Sequence, residues 1–348
     1  MSGPSPPREY PDDRPREEAQ AGGPSSLYVQ EPPMSLKAYA HKYLVCLRVK
    51  DMLEDILERL RSELLTRVPL DAIPESVWKR TGALNTWGTN AIEGNTLTFD
   101  DVERLLLDQR SVPDRPVPDV LETIHHEAAF RGLLQRRDRP IRLVTALELH
   151  EGVFRGVLSD AGQWRRANPR IRGSKHTPPR MEKVVALMVE WEEEYGRRDM
   201  LGEPVVPLGA WMHHRFESIH PFSNGNGRVG RLLLNLHLLR HNWPPVHVLP
   251  PDRDRYLDAL EQGHAELAPF EEFLRVGIGR SLLDLLDQVG TKDDELKPLR
   301  RFESRGAYTG KYLALRANQG RLPSLKVGGD WRTSARAIRV YRELVGRG

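Results

Sequence analysis

The chain of 348 residues contains one cysteine, Cys46. A single thiol closes no internal disulfide, which excludes a secreted disulfide scaffold and makes a reducing, cytoplasmic setting the expectation. The sequence also lacks a run of about 20 apolar residues that spans a bilayer. It lacks a basic-then-apolar leader as well, so no membrane association is expected. Large apolar residues are scarce over 1–34, where Pro, Gly, Ser and charged residues dominate. Such a stretch buries too little surface to offset its ordering entropy and reads as a disordered leader. Metal-ligand spacing is missing too. The adjacent pairs His125-His126 and His213-His214 lack the three- or four-residue separation that puts two imidazoles on one helical face. His214 is expected instead to line the core beneath the loop described below.

Against these absences, 39% hydrophobic and 29% charged residues suffice for a sizeable globular core. From about residue 35, Leu44, Leu47, Met52, Leu53, Ile56, Leu57 and Leu60 recur at roughly helical spacing and predict a packing helix. Gly94 and Asn95 are plausible helix terminators. Thr98 with Asp101 three residues on predicts a capping box opening a helix through Leu107. After a Pro-rich linker over 111–118, helices are expected over 120–134, 181–195 and 208–219. Charge is distributed unevenly. Residues 297–348 hold 13 Lys or Arg and 3 Asp or Glu, a balance of +10, whereas residues 1–296 sum to −7.

The most informative stretch is 220–231, His-Pro-Phe-Ser-Asn-Gly-Asn-Gly-Arg-Val-Gly-Arg. Val229, Leu232, Leu233, Leu236 and Leu239 fall at helical spacing behind it, so Gly225, Asn226 and Gly227 sit at a helix N-terminus. Glycines there let backbone N–H groups approach a phosphate, and the positive end of the helix dipole favours the charge. Arg228 and Arg231 lie one turn apart, placed to grip phosphate oxygens with planar forks. His220 is then a general-base candidate beside a bound phosphate.

This stretch resembles the signature of the Fic family, His-x-Phe-x-(Asp/Glu)-Gly-Asn-Gly-Arg-x-x-Arg, with every fixed position matched except one. The resemblance implies transfer of AMP from ATP to a Ser, Thr or Tyr hydroxyl of a target protein. His220 would deprotonate that hydroxyl and Phe222 would anchor the loop. Asn226, Arg228 and Arg231 would hold the triphosphate, with backbone donors from Gly225 and Gly227. The departure is Asn224, at the metal position that is usually acidic. A neutral amide is a weaker ligand for the Mg2+ or Mn2+ that the family implies. Residues 89–95, Thr-Asn-Ala-Ile-Glu-Gly-Asn, are similar to the family's inhibitory helix motif. That similarity pairs Glu93 with Arg231, within one chain or across a homodimer.

Further resemblances complete the expectation. Residues 163–179 resemble the family's flap, a small β-hairpin in which Ile171, Arg172 and Gly173 would pair with the target backbone. Tyr256 falls in a region that lines the adenine pocket in relatives. Residues 320–334 look like the wing of an excisionase-type winged helix-turn-helix, so 297–348 is expected to be a basic module that binds DNA or protein. The expected fold class is thus mainly α. It comprises a disordered leader over 1–34, an N-terminal helical region over 35–118, a Fic-type core over 119–289 and a winged-helix-like module over 297–348. The expected function is autoinhibited protein adenylyltransfer. The alternatives are AMP removal, or a catalytically weak scaffold that binds nucleotide or DNA.

Overall fold

The computed structural model describes residues 36–171, 173–304 and 308–345, with side chains from residue 52 onward. The expected leader, Cys46 and Arg172 therefore lie outside the described residues or side chains. The chain divides into two units, residues 1–45 and 46–348. The first is helical from Leu36; all side-chain features below belong to the second.

Among the described residues the chain is mainly helical. The helices, in order, are α1 (Leu36–Arg67), α2 (Glu75–Ala91), α3 (Phe99–Leu106), α4 (Val117–Arg131), α5 (Leu133–Arg136), α6 (Leu143–Phe154), α7 (Val184–Met200), α8 (Val205–Ile219), α9 (Asn226–Arg240), α10 (Arg253–Gln262), α11 (Ala268–Val289), α12 (Gly310–Asn318) and α13 (Ala335–Val345). The expected boundaries at 120, 134, 181 and 208 shift by a few residues. Pro116 precedes α4 and Pro204 precedes α8, and a proline at or next to the first turn starts a helix earlier than apolar spacing suggests. The capping box forms as read: the Thr98 side chain accepts from Asp101 N–H, and the Asp101 carboxylate accepts from Thr98 N–H. No described helix is long and apolar enough to cross a membrane.

The core is organised around α9, whose residues from Val229 to Leu239 are buried on every face. A helix that is buried all round needs neighbours on all sides. α8 packs most extensively against it, with α2, α5 and α6 also in contact. The result is that the first turn of α9, at the buried end of the loop, is held in a fixed frame.

Three short strands follow, β1 (Lys297–Pro298), β2 (Leu325–Val327) and β3 (Asp330–Thr333), in the antiparallel order β1-β3-β2. Gly328 and Gly329 both have positive φ, the two-residue turn that tightens a hairpin. This C-terminal part shares the main hydrophobic core: Leu299, Leu313, Leu322, Ile338 and Tyr341 are buried in it. Residues 163–179 differ from the expected hairpin, since their described part forms no strand. A turn closes from Ile171 O to Ser174 N–H at 3.3 Å, with Gly173 at φ 83°. Pro169, Pro178 and Pro179 bracket that turn, and prolines donate no ladder hydrogen bonds.

Candidate active site

The loop is built by two left-handed residues. α8 ends at His220, a non-glycine residue at φ 52° and ψ 60°, a strained conformation that clusters at functional sites. α9 starts behind Gly225 at φ 78°, where a Cβ would lie 2.2 Å from the Phe154 ring. Only glycine fits there. Between these two points Phe222 is fully buried and stacked on His150, with centroids 3.8 Å apart, while Trp164 stacks at 5.1 Å. Asn226 closes the loop onto itself: its Oδ1 accepts from Phe222 N–H at 2.8 Å and its Nδ2 donates to Phe222 O at 3.0 Å. The Asn226 side chain therefore shapes the loop and faces inward, at 2% exposure.

The first turn of α9 presents the expected donors. The first helical bond runs from Val229 N–H to Gly225 O, which leaves the N–H groups of Asn226, Gly227 and Arg228 without helical acceptors. Both arginines of the turn are buried and both are already paired. Arg228 Nη1 is hydrogen-bonded to Glu122 of α4, with the guanidinium 4.4 Å over the Phe154 ring. Arg231 donates from Nε to Thr89 Oγ1 at 2.6 Å, from Nη2 to Thr89 O at 3.3 Å, from Nη2 to Glu93 Oε1 at 2.7 Å and from Nη1 to Tyr256 OH at 3.3 Å. Those bonds use four of the five guanidinium donors. Glu93 and Arg231 belong to the same chain, so the pair is closed without a partner subunit.

Electrostatics follow from this packing. Burial alone would raise the Glu93 carboxyl, but the Arg231 guanidinium, helped by Arg228 and His220, holds it below its ordinary value. The side chain stays a third exposed at the rim. Burial, with the Arg165 charge nearby, lowers His220 to about 4, so the ring is neutral at pH 7 and its Nδ1 is buried without a partner. A neutral imidazole is the form a general base requires. Glu217, beside Arg231 on the far side, is pushed by burial to about 8, and its Oε1 has no hydrogen-bond partner.

Several expectations need relocation. Tyr256, expected to line an adenine pocket, is 2% exposed. Its hydroxyl bonds to His213 Nε2 at 2.8 Å and lies beside Arg231, so it reaches the site only through that arginine. His213, rather than His214, is the histidine beneath the loop. His214 bonds to Leu260 O and packs edge-on against His264. Asn224 Oδ1 accepts from Gly225 N–H at 2.6 Å. An amide oxygen already engaged in this way is a poor Mg2+ ligand, and no carboxylate stands at that position. The residues present do not by themselves make a magnesium site. Among the described residues no cluster of three His, Cys, Asp or Glu suits a metal ion.

Sequence reading missed the supports. Arg165 donates from Nε to His220 O at 2.8 Å and from Nη1 to Ala167 O at 2.7 Å, and it also bonds to Pro179 O. One buried guanidinium thus clips both ends of the 163–179 segment to the loop. Gly173 sits in the turn of that segment, and Ser174 Oγ donates to Glu261 of α10 at 2.6 Å. His150 accepts from Gly162 N–H at Nδ1 and bonds to Asn224 O at Nε2. Nothing in the sequence singles out Glu122, because its partner Arg228 lies 106 residues away. The described arginines of α13 are engaged internally. Arg336 pairs with Asp294 at 2.6 Å and Glu63 at 3.1 Å, Arg339 pairs with Asp293 at 3.1 Å, and Arg342 donates to Phe302 O. That leaves α13 poorly supplied with cations for DNA phosphates.

The helical frame and its loop define a domain that offers a helix N-terminus and two arginines to an anion. Residues 140–238 match the Fic/DOC family. A protein adenylyltransferase Fic of Nematostella vectensis is 26% identical over 250 residues, covering 70% of this chain and 58% of that protein. The Culex quinquefasciatus protein of the same name is 27% identical, over 73% of this chain and 51% of its own length. The chain thus spans between half and three fifths of these relatives. Among solved structures, a Fic domain containing signaling protein from Bacteroides thetaiotaomicron superposes with a TM-score of 0.62 at 25% identity, covering 66% of this chain and 97% of that one. Fic-1 from C. elegans gives 0.61 at 25% identity, over 72% of this chain and 76% of its own.

Proposed function

We propose that this chain is a protein adenylyltransferase that transfers AMP from ATP to a hydroxyl of a target protein and is held inactive by its own Glu93. The observation that carries the reading is the Glu93–Arg231 pair at 2.7 Å beside a helix N-terminus with free N–H groups. In the active form the N–H groups of Asn226, Gly227 and Arg228 bind phosphate oxygens, and Arg228 and Arg231 neutralise their charge. Neutral His220 takes the proton of the target hydroxyl as its oxygen attacks the α-phosphorus and pyrophosphate leaves. The 163–179 segment, held at both ends by Arg165, guides the target backbone past His220. Glu93 blocks this arrangement because a guanidinium with four of its five donors taken by a carboxylate, two hydroxyls and a carbonyl has little left for a phosphate.

Incorporation of labelled AMP from ATP into a host lysate tests the reading. In a Glu93→Gly background we expect label on protein, and its loss on adding His220→Ala. One observation favours a second reading, a nucleotide-binding scaffold of low activity: Asn224 offers a neutral and already engaged oxygen at the metal position. Label that appears only with Asn224→Asp assigns the defect to metal binding. No label from any of these variants, with ATP still bound, supports the scaffold.

A further inference from the structure

Away from the loop, a cleft of about 490 Å3 lies between the segment leading into α10, the outer side of α11 and the β2–β3 hairpin. No residue of 220–231 lines it. Four cations stand on its walls, and two of them are neutralised in place. Arg275 pairs with Glu54 at 3.3 Å and Glu271 at 3.2 Å, and Arg280 pairs with Asp252 at 2.7 Å. Arg255 and Lys326 are exposed, and neither has an ion pair among the described residues. Lys326 Nζ lies over the half-buried Trp331 ring, 5.9 Å from its centre, so the cation and the indole form one unit on the hairpin. The wall between them is apolar, with Leu322 and Pro323, and it holds Ser324, whose buried Oγ has no partner.

We propose that this cleft binds a nucleoside monophosphate, with the base against the Trp331 indole and the phosphate between Arg255 and Lys326. The volume lies within the range of about 300–1,000 Å3 typical of small-ligand sites. The pairing of an aromatic face with uncompensated cations selects a planar anion: a neutral apolar ligand leaves both charges unused, and an ammonium is repelled. An extended polyanion such as duplex DNA needs a continuous run of free cations, whereas the arginines of α13 are bonded internally. Two free charges suit one phosphate.

Calorimetric titration of the full chain with AMP, and in parallel with GMP, CMP and UMP, tests the site. We expect at least one nucleotide to bind below about 1 mM. Its affinity should fall tenfold or more, about 1.4 kcal/mol, in Arg255→Glu and in Trp331→Ala, and should be unchanged in Arg228→Ala. Arg255 is exposed and unpaired, so its reversal leaves the fold intact even if Trp331→Ala does not fold. Absence of binding by all four nucleotides, or binding lost in Arg228→Ala and untouched in Arg255→Glu, overturns the assignment.

Discussion

At the scale of single residues the site is governed by close approach to one guanidinium. A Cβ on Gly227 would lie 2.3 Å from Glu93 Oε1 and 2.8 Å from Arg231 Nη1. The first of these is the far end of a flexible side chain that is one-third exposed, so it yields before the helix does. Gly227→Ala is therefore expected to dislodge Glu93 and raise AMP incorporation above the parent chain, with little change in Tm. Incorporation equal to the parent would show that the carboxylate keeps its seat. Glu93→Gly itself leaves Arg231 buried with fewer acceptors, at a cost of about 1.5–3 kcal/mol for a hydrogen bond to a charged group. Arg231 was legible from its place one turn behind the glycine-rich loop, whereas Glu93 and its pairing with Arg231 came only from the resemblance of residues 89–95 to the inhibitory motif. Glu122, Arg165 and Glu217 were not legible, because nothing local distinguishes a buried charged side chain from a solvated one when its surroundings come from distant parts of the chain.

At the scale of elements, local chemistry sets helix ends and tertiary anchors set the loops. The Thr98–Asp101 box was readable because capping satisfies orphan N–H groups within four residues. Thr98→Ala is expected to destabilise the chain by about 0.5–2 kcal/mol, measured as a shift in denaturant midpoint at constant m-value; a midpoint equal to wild type contradicts a capping role. The 163–179 segment was misread as a hairpin because its punctuation is that of a turn, whereas its conformation comes from Arg165 and Glu261. Glu261→Ala removes the acceptor of Ser174 Oγ and Lys175 N–H. Faster amide exchange is expected at Ser174, Lys175 and His176, with α10 unchanged. Unaltered exchange there would assign the segment's position to Arg165 alone. The hairpin within 320–334 was expected from the resemblance of that stretch to a wing, but the pairing of α13's arginines with Asp293, Asp294 and Glu63 was not legible.

At the scale of the whole molecule, burial of neutral histidines ties stability to pH. Burial lowers His126, His213 and His237 to about 3, and His214, His220 and His247 to about 4, from an ordinary 6.5. Below pH 6.5 the unfolded chain takes up protons that the folded chain refuses until near pH 4, so stability falls as pH falls through that window. Each ring contributes up to about 1.4 kcal/mol per pH unit. Tm is expected to drop steadily from pH 7 to pH 5, before most carboxylates protonate, and a flat profile would contradict the neutral burial. The helical class and one apolar face of α9 were plain in its spaced Val and Leu residues, yet which histidines face that core depends on how α8 and α10 pack, information that no single helix carries. On the proposed function these scales meet in one loop that takes phosphate and is held closed by one internal carboxylate. The most direct test is the initial rate of AMP incorporation by Glu93→Gly relative to the unaltered chain at equal ATP. A rise of tenfold or more, abolished by His220→Ala, is the predicted result; equal rates in the two proteins would show that Glu93 is no brake.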